Sequence, residues 1–219
     1  MSLETHFHSI VLGITGVVML AILLWIMPLA QKDPGIAYLI ALVASGGTYE
    51  FLARFLSFLV NEIRWIKKRI FGSWFIEGTW AGYYIGLDDV VYYVVETLEQ
   101  ELATMSQQGI GFTESGETRS TWNSQAIDIN PKSSAMVQAY HCTYAKTGQP
   151  VDGIGSFTFY HKGGMPPHRK EGWIADVADA KRQRVVEEKV SDQIIDHREA
   201  IPFARELWQQ SKKPPNSPH

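Results

Sequence analysis

Cysteine is almost missing from this chain: 219 residues carry one, Cys142. A lone cysteine closes no internal disulfide, and its scarcity fits a reducing compartment. Charge of one sign is missing too. The formal net charge is -3, so no strong global field draws the chain to DNA or RNA. Catalytic signatures are absent: there is no G-x-S-x-G, G-x-x-x-x-G-K-[ST], H-E-x-x-H or C-x-x-C. His141, His161, His168, His197 and His219 fall at no metal-ligand spacing. Asp88 and Asp89 read as turn chemistry, not as a metal pair. The residues therefore point away from an enzyme, a metal and a cofactor, although a triad assembled only in space would leave no such signature. No internal repeat is present.

Long apolar runs, in contrast, are present, and they are confined to the first third. A mean hydropathy of -0.10 averages that third with an ordinary soluble remainder. Ser9 to Ala30 contains no Asp, Glu, Lys or Arg. At about 1.5 Å per residue it reaches roughly 33 Å, enough for a hydrocarbon core of about 30 Å. A signal peptide would need a basic N-terminal flank, and residues 1–8 hold no Lys or Arg. Gln31 to Pro34 reads as a turn, with Pro34 opening a new helix. Gly35 to Val60 is the second apolar segment. Arg64, Lys67, Lys68 and Arg69 follow it, whereas the turn holds only Lys32. The positive-inside rule then places both termini, and the rest of the chain, in the cytoplasm.

Within the second segment Glu50 and Arg54 stand four residues apart, on one helix face. Two readings are open. Arg54 snorkels to the headgroups with Glu50 as its partner, or the pair serves helix–helix assembly. Gly46 and Gly47, beside Ser45, allow close helix approach and favour self-association.

From Gly78 the period changes to short alternating runs. Strands are expected at 77–85, 90–95, 101–112, 118–129, 135–145, 153–162, 171–177 and 182–190, with 96–106 also compatible with helix. Gly109, Ser115–Gly116, Asn130–Pro131, Gly148–Pro150 and Gly163–Pro167 punctuate them. About eight short strands at even spacing predict a sandwich or a closed antiparallel barrel. Residues 191–211 read as helical, interrupted or restarted at Pro202, and 212–219 as a disordered tail.

Strand alternation sorts the aromatic and basic side chains by face. Trp80, Gly82 and Tyr84 share one face. Thr118, Ser120 and Trp122 share one, with Arg119 on the other. Gln138, Tyr140, Cys142 and Tyr144 go together, as do Gly155, Phe157 and Phe159. Such residues are the core of a small barrel, or they line a pocket at its mouth, where aromatics stack on nucleobases and arginines hold phosphates. On the second reading the candidate ligand-binding residues are Tyr84, Arg119, Trp122, Tyr140, Phe159, Trp173 and Arg184. Gly82, Gly153 and Gly155 would leave room inside.

The strand that opens Gly78-Thr-Trp80 resembles the G-x-W of lipocalin-like barrels, where the tryptophan closes the floor and a late-strand arginine packs on it; Arg182 or Arg184 would take that part. The layout of residues 1–190 resembles the two-transmembrane β-barrel effectors of bacterial CBASS anti-phage defence. It shows two apolar helices, a basic segment, then a barrel beginning Gly-Thr-Trp-x-Gly-Tyr-Tyr. That resemblance implies a functional partner, a nucleotidyltransferase that makes a cyclic dinucleotide. It implies that the barrel binds this signal, that the helices homo-oligomerise, and that the inner membrane is disrupted. A membrane-tethered carrier of an apolar ligand and a non-enzymatic interaction subunit are the alternatives.

Overall fold

The computed structural model describes residues 3–101, 104–178 and 181–212. It divides into two compact units, residues 1–71 with 101–103, and residues 72–100 with 104–219.

The first unit is helical. Helix α1 spans Leu3–Ala30, α2 spans Pro34–Glu62, and a short basic helix α3 spans Arg64–Phe71. The Asp33 carboxylate accepts from the backbone N–H groups of Gly35 and Ile36, at 3.1 and 3.2 Å. That cap, with proline in the first turn, starts α2 where the sequence predicted. The two long helices pack on each other. Among the described residues one helix is long and apolar enough to cross a membrane, over Val11–Pro28, at a mean hydropathy of 2.4. Two spans were expected. The second, α2, has the length at 29 residues, but much of 37–49 lies outside the residues whose surroundings are described, and it is not counted among the spans found.

In the second unit eight antiparallel strands close into a barrel in sequence order. They are β1 Gly78–Ile85, β2 Val91–Gln100, β3 Met105–Phe112, β4 Thr118–Asn130, β5 Ala135–Tyr144, β6 Pro150–Tyr160, β7 Arg169–Asp176 and β8 Gln183–Ser191. The β1–β8 pairing completes the ring, from Thr79 opposite Ser191 to Tyr84 opposite Val185. The helix-compatible run from Glu96 is strand as far as Gln100. Glu96, Leu98 and Gln100 alternate inward there, and β3 begins only at Met105.

Helix α4, His197–Ser211, lies across the outside of β1, β2 and β8. Asp196 caps it by accepting from the Arg198 N–H at 2.7 Å. The helix runs continuously through Pro202, which was expected to break it. Only one backbone bond is lost to the proline, and the apolar stripe of Ala200, Ala204 and Leu207 stays in register against the barrel. The helix starts later than expected, because 192–196 is a loop. The expected tail falls, from residue 213, outside the described residues.

There are thus two apolar layers. The inner one fills the barrel with Trp80, Tyr84, Val94, Leu98, Met136, Phe157 and others. The outer one, Ala81, Tyr83, Tyr93, Val95 and Val186, lies beneath α4. Burial at about 25 cal/mol per Å² drives both layers.

Candidate functional site in the barrel interior and mouth

The barrel has a sealed end. Trp80 is fully buried and its indole N–H donates to the Ile76 carbonyl at 2.9 Å. Phe159 packs on it, with ring centroids 5.9 Å apart. Gln100 accepts from the Ile76 N–H at 3.1 Å and donates to the Trp74 carbonyl at 3.0 Å. The chain entering β1 is thereby stitched across the floor.

Above the floor the interior is unexpectedly polar. Lys170 on β7 is fully buried and donates to Glu96 on β2, and its Nζ also lies 3.2 Å from Glu187 on β8. Neither Glu187 oxygen meets hydrogen-bond geometry with any described group. Burial, and next the Glu96 charge, push the Glu187 carboxyl well above the usual carboxylate range, against the opposing pull of Lys170. Lys170 is raised above the usual lysine range, the pull of its two acidic neighbours outweighing the penalty of burial. The Trp122 indole donates to Glu96 at 3.2 Å. Higher up, Tyr140 and Tyr144 donate to Asp176, at 3.4 and 3.2 Å. Burial and the nearby Asp176 charge raise the Tyr144 hydroxyl to about 12, and the same two causes raise the Cys142 thiol to about 11. Between these groups lies a cavity of ≈ 40 Å³. That is room for a water or two.

The open end has a different character. The Arg119 guanidinium carbon sits 3.6 Å from the centroid of the Tyr92 ring and 5.7 Å from that of Tyr144. Its Nε is buried without a hydrogen-bond partner. Tyr92 stacks on Tyr84 at 5.2 Å and donates to Asp88 at 2.7 Å. That hydrogen bond is the main reason the Asp88 carboxyl lies below its usual range. A cleft of ≈ 630 Å³ opens here, lined by Tyr92, Arg119, Tyr144, Lys146, Gln149, Glu117 and three threonines.

Of the residues expected to bind a ligand, Tyr84, Trp122 and Tyr140 line the interior cavity. Arg119 lies at the mouth instead. A bulge where β3 and β4 shift register, between Gly111 and Phe112, turns it over the rim instead of leaving it on the outer face that strict alternation gives. Phe159 is floor core, not pocket lining. Trp173 and Arg184 are corrected outright. They stand on the outer face, where they are cross-strand partners. Arg182 stacks on Trp173 at 4.2 Å, and Arg184, mostly exposed, pairs with Glu171 at 3.2 Å. The cation over the Trp80 ring is Lys170, at 5.7 Å, and not Arg182 or Arg184.

The glycines do not hold space for a ligand. A Cβ on Gly109 would sit 2.2 Å from the Trp122 ring, and one on Gly153 would sit 2.1 Å from that of Tyr140. Each glycine faces its aromatic directly across two strands. The room they leave is filled by those rings. Gly82 instead admits the β8 backbone: a Cβ there would sit 2.0 Å from the Val186 carbonyl oxygen and 2.6 Å from Glu187.

In the helical unit, Arg54 and Glu50 form the expected i, i+4 pair at 2.6 Å, with both side chains largely exposed. A Cβ on Gly47 would meet nothing within 4 Å. The surroundings of Gly46 lie outside the described residues.

Sequence reasoning missed Glu96, Lys170, Asp176 and Glu187. Lysine and glutamate are among the residues least often buried, so their composition gives no signal; strict inward parity counted back from Ile174 would have found Lys170. No protein-family model, curated protein or solved structure matches this chain.

Proposed function

We propose that this protein is a membrane-anchored, non-catalytic receptor. Its barrel mouth binds an anionic nucleotide of the cyclic dinucleotide class. Its helices, with α2 as a second span, then assemble and disturb the bacterial inner membrane. The observation that carries the reading is Arg119. A guanidinium stacked on Tyr92, with a buried unpartnered Nε, sits in an open cleft beside Lys146. Arginine with an aromatic platform is the pairing that phosphate and base recognition need. The cleft volume lies within the roughly 300–1,000 Å³ of small-molecule sites. The basic residues of α3 support a cytoplasmic barrel, where such a messenger and its nucleotidyltransferase would be found.

The test is calorimetry on the full chain in detergent micelles, titrated with cyclic dinucleotides. Heat of binding is expected, and Arg119→Ala should weaken affinity at least about tenfold, the loss of one charge-assisted contact. Unchanged affinity in that variant would overturn the assignment.

One observation favours a second reading. The interior is nearly filled, as a packed interaction module requires. An intact barrel that gives no heat with any cyclic dinucleotide would select it. An apolar carrier is disfavoured, since Glu96, Lys170 and Glu187 share the interior.

A further inference from the structure

We propose that the barrel interior is a site for one compact ammonium-type cation, no larger than methylammonium, held by the side-chain oxygens of Gln138 and Glu187. It shares only Tyr144 with the mouth cleft and uses neither Arg119 nor Tyr92, so its failure would leave the nucleotide reading untouched.

Three observations lead there. The first is an imbalance of hydrogen-bonding groups. Gln138 is 3 % exposed and Glu187 is 0 % exposed, both line the cavity, and Gln138 Oε1 and Glu187 Oε1 have no hydrogen-bond partner, while Glu187 Oε2 lies 3.2 Å from Lys170 Nζ. Of the donors beside them, the Trp122 indole is committed to Glu96, and the Tyr140 and Tyr144 hydroxyls to Asp176. Buried acceptors left unmatched cost free energy, so the complementary occupant is rich in N–H. The second is charge. Lys170 answers Glu96, and an ionised Glu187 would leave the cluster one negative charge in excess. The third is the lining. Tyr84, Trp122 and Phe157 are among its walls, and aromatic rings attract organic cations. A divalent metal fits less well, because no three His, Cys, Asp or Glu side chains converge among the described residues. The cavity of ≈ 40 Å³ sets the size limit.

Without an occupant, Glu187 answers the charge problem by holding a proton, as burial and Glu96 dictate. The titratable groups that share its cavity are Tyr84 on β1, Glu96 on β2, Tyr140, Cys142 and Tyr144 on β5, and Asp176 on β7, with Lys170 paired to it from β7. The cation and that proton are thus alternatives. A carboxyl raised in the folded state stabilises the fold at low pH, and this contribution falls away as pH rises above the unfolded glutamate value. A bound cation restores what is lost, so it acts most strongly at high pH.

The experiment is thermal unfolding of the full chain in detergent micelles, with methylammonium, potassium or tetramethylammonium chloride at equal ionic strength. Saturating methylammonium should raise Tm by about 2–4 °C, more at roughly pH 8 than at roughly pH 5. Potassium and the bulky tetramethylammonium should not. Glu187→Gln, isosteric and uncharged, should abolish the rise; should that variant fail to fold, Gln138→Leu serves in its place. Equal shifts with all three salts, a rise that persists in the variant, or no rise at all (an interior that holds only water) would overturn the proposal.

Discussion

At the floor of the barrel, hydrogen bonds from Gln100, Trp80 and Lys189 hold the backbone of residues 74–76 across the opening, over buried Trp80 and Phe159. At the mouth the fastenings are side chain to side chain, Tyr92 to Asp88 and Tyr140 and Tyr144 to Asp176, around a guanidinium with a free nitrogen. One end is closed by backbone that cannot leave without unfolding. The other is fastened only by side chains, which can swing aside without disturbing the backbone. Stability is thereby concentrated at the floor, and conformational freedom at the mouth.

Substitutions should separate the two ends by magnitude. Trp80→Ala removes the largest buried side chain of the floor together with its hydrogen bond. It should cost about 4 kcal/mol of barrel stability, read from the shift in denaturant midpoint. Lys170→Met, between the two ends, leaves Glu96 and Glu187 without their buried cation and should cost about 3 kcal/mol. A variant with both carboxylates also replaced by apolar residues of similar volume should recover most of that loss. Tyr92→Phe deletes one part-buried hydrogen bond at the mouth and should cost about 0.5 kcal/mol. A loss at Tyr92 as large as that at Trp80 would erase the distinction.

The floor was largely legible in the sequence. Gly78-Thr-Trp marked it, and the inner faces of β1, β5 and β6 followed from alternation. Strands β7 and β8 defeated the same argument for a physical reason. Alternation reports one wet face and one dry face, but α4 buries the outer face of β8, so Val185 and Val186 are both dry. On β7 an outer ion network of Arg169, Glu171, Glu188 and Arg184 surrounds Trp173. There the aromatic lies outside and the lysine inside, which inverts the usual pattern. The interior triad joins residues as far apart as Glu96 and Lys170, separated by 74 positions. Local pattern carries no record of such a pairing. The bulge that lifts Arg119 to the rim is equally silent, since it depends on the register between two strands.

The seam between the first and last strands also orders events in time. Thr79, in β1, donates its hydroxyl proton to the Gln193 carbonyl and accepts from the Ile195 N–H, across 114 and 116 positions. On a ribosome, β1 emerges long before its partner exists. Its free edge waits through the synthesis of six further strands, exposed to any other unpaired edge nearby. Closing so long a loop is also slow in itself. Ring closure must therefore wait for β8, and the helix that follows β8 packs against both strands of the seam.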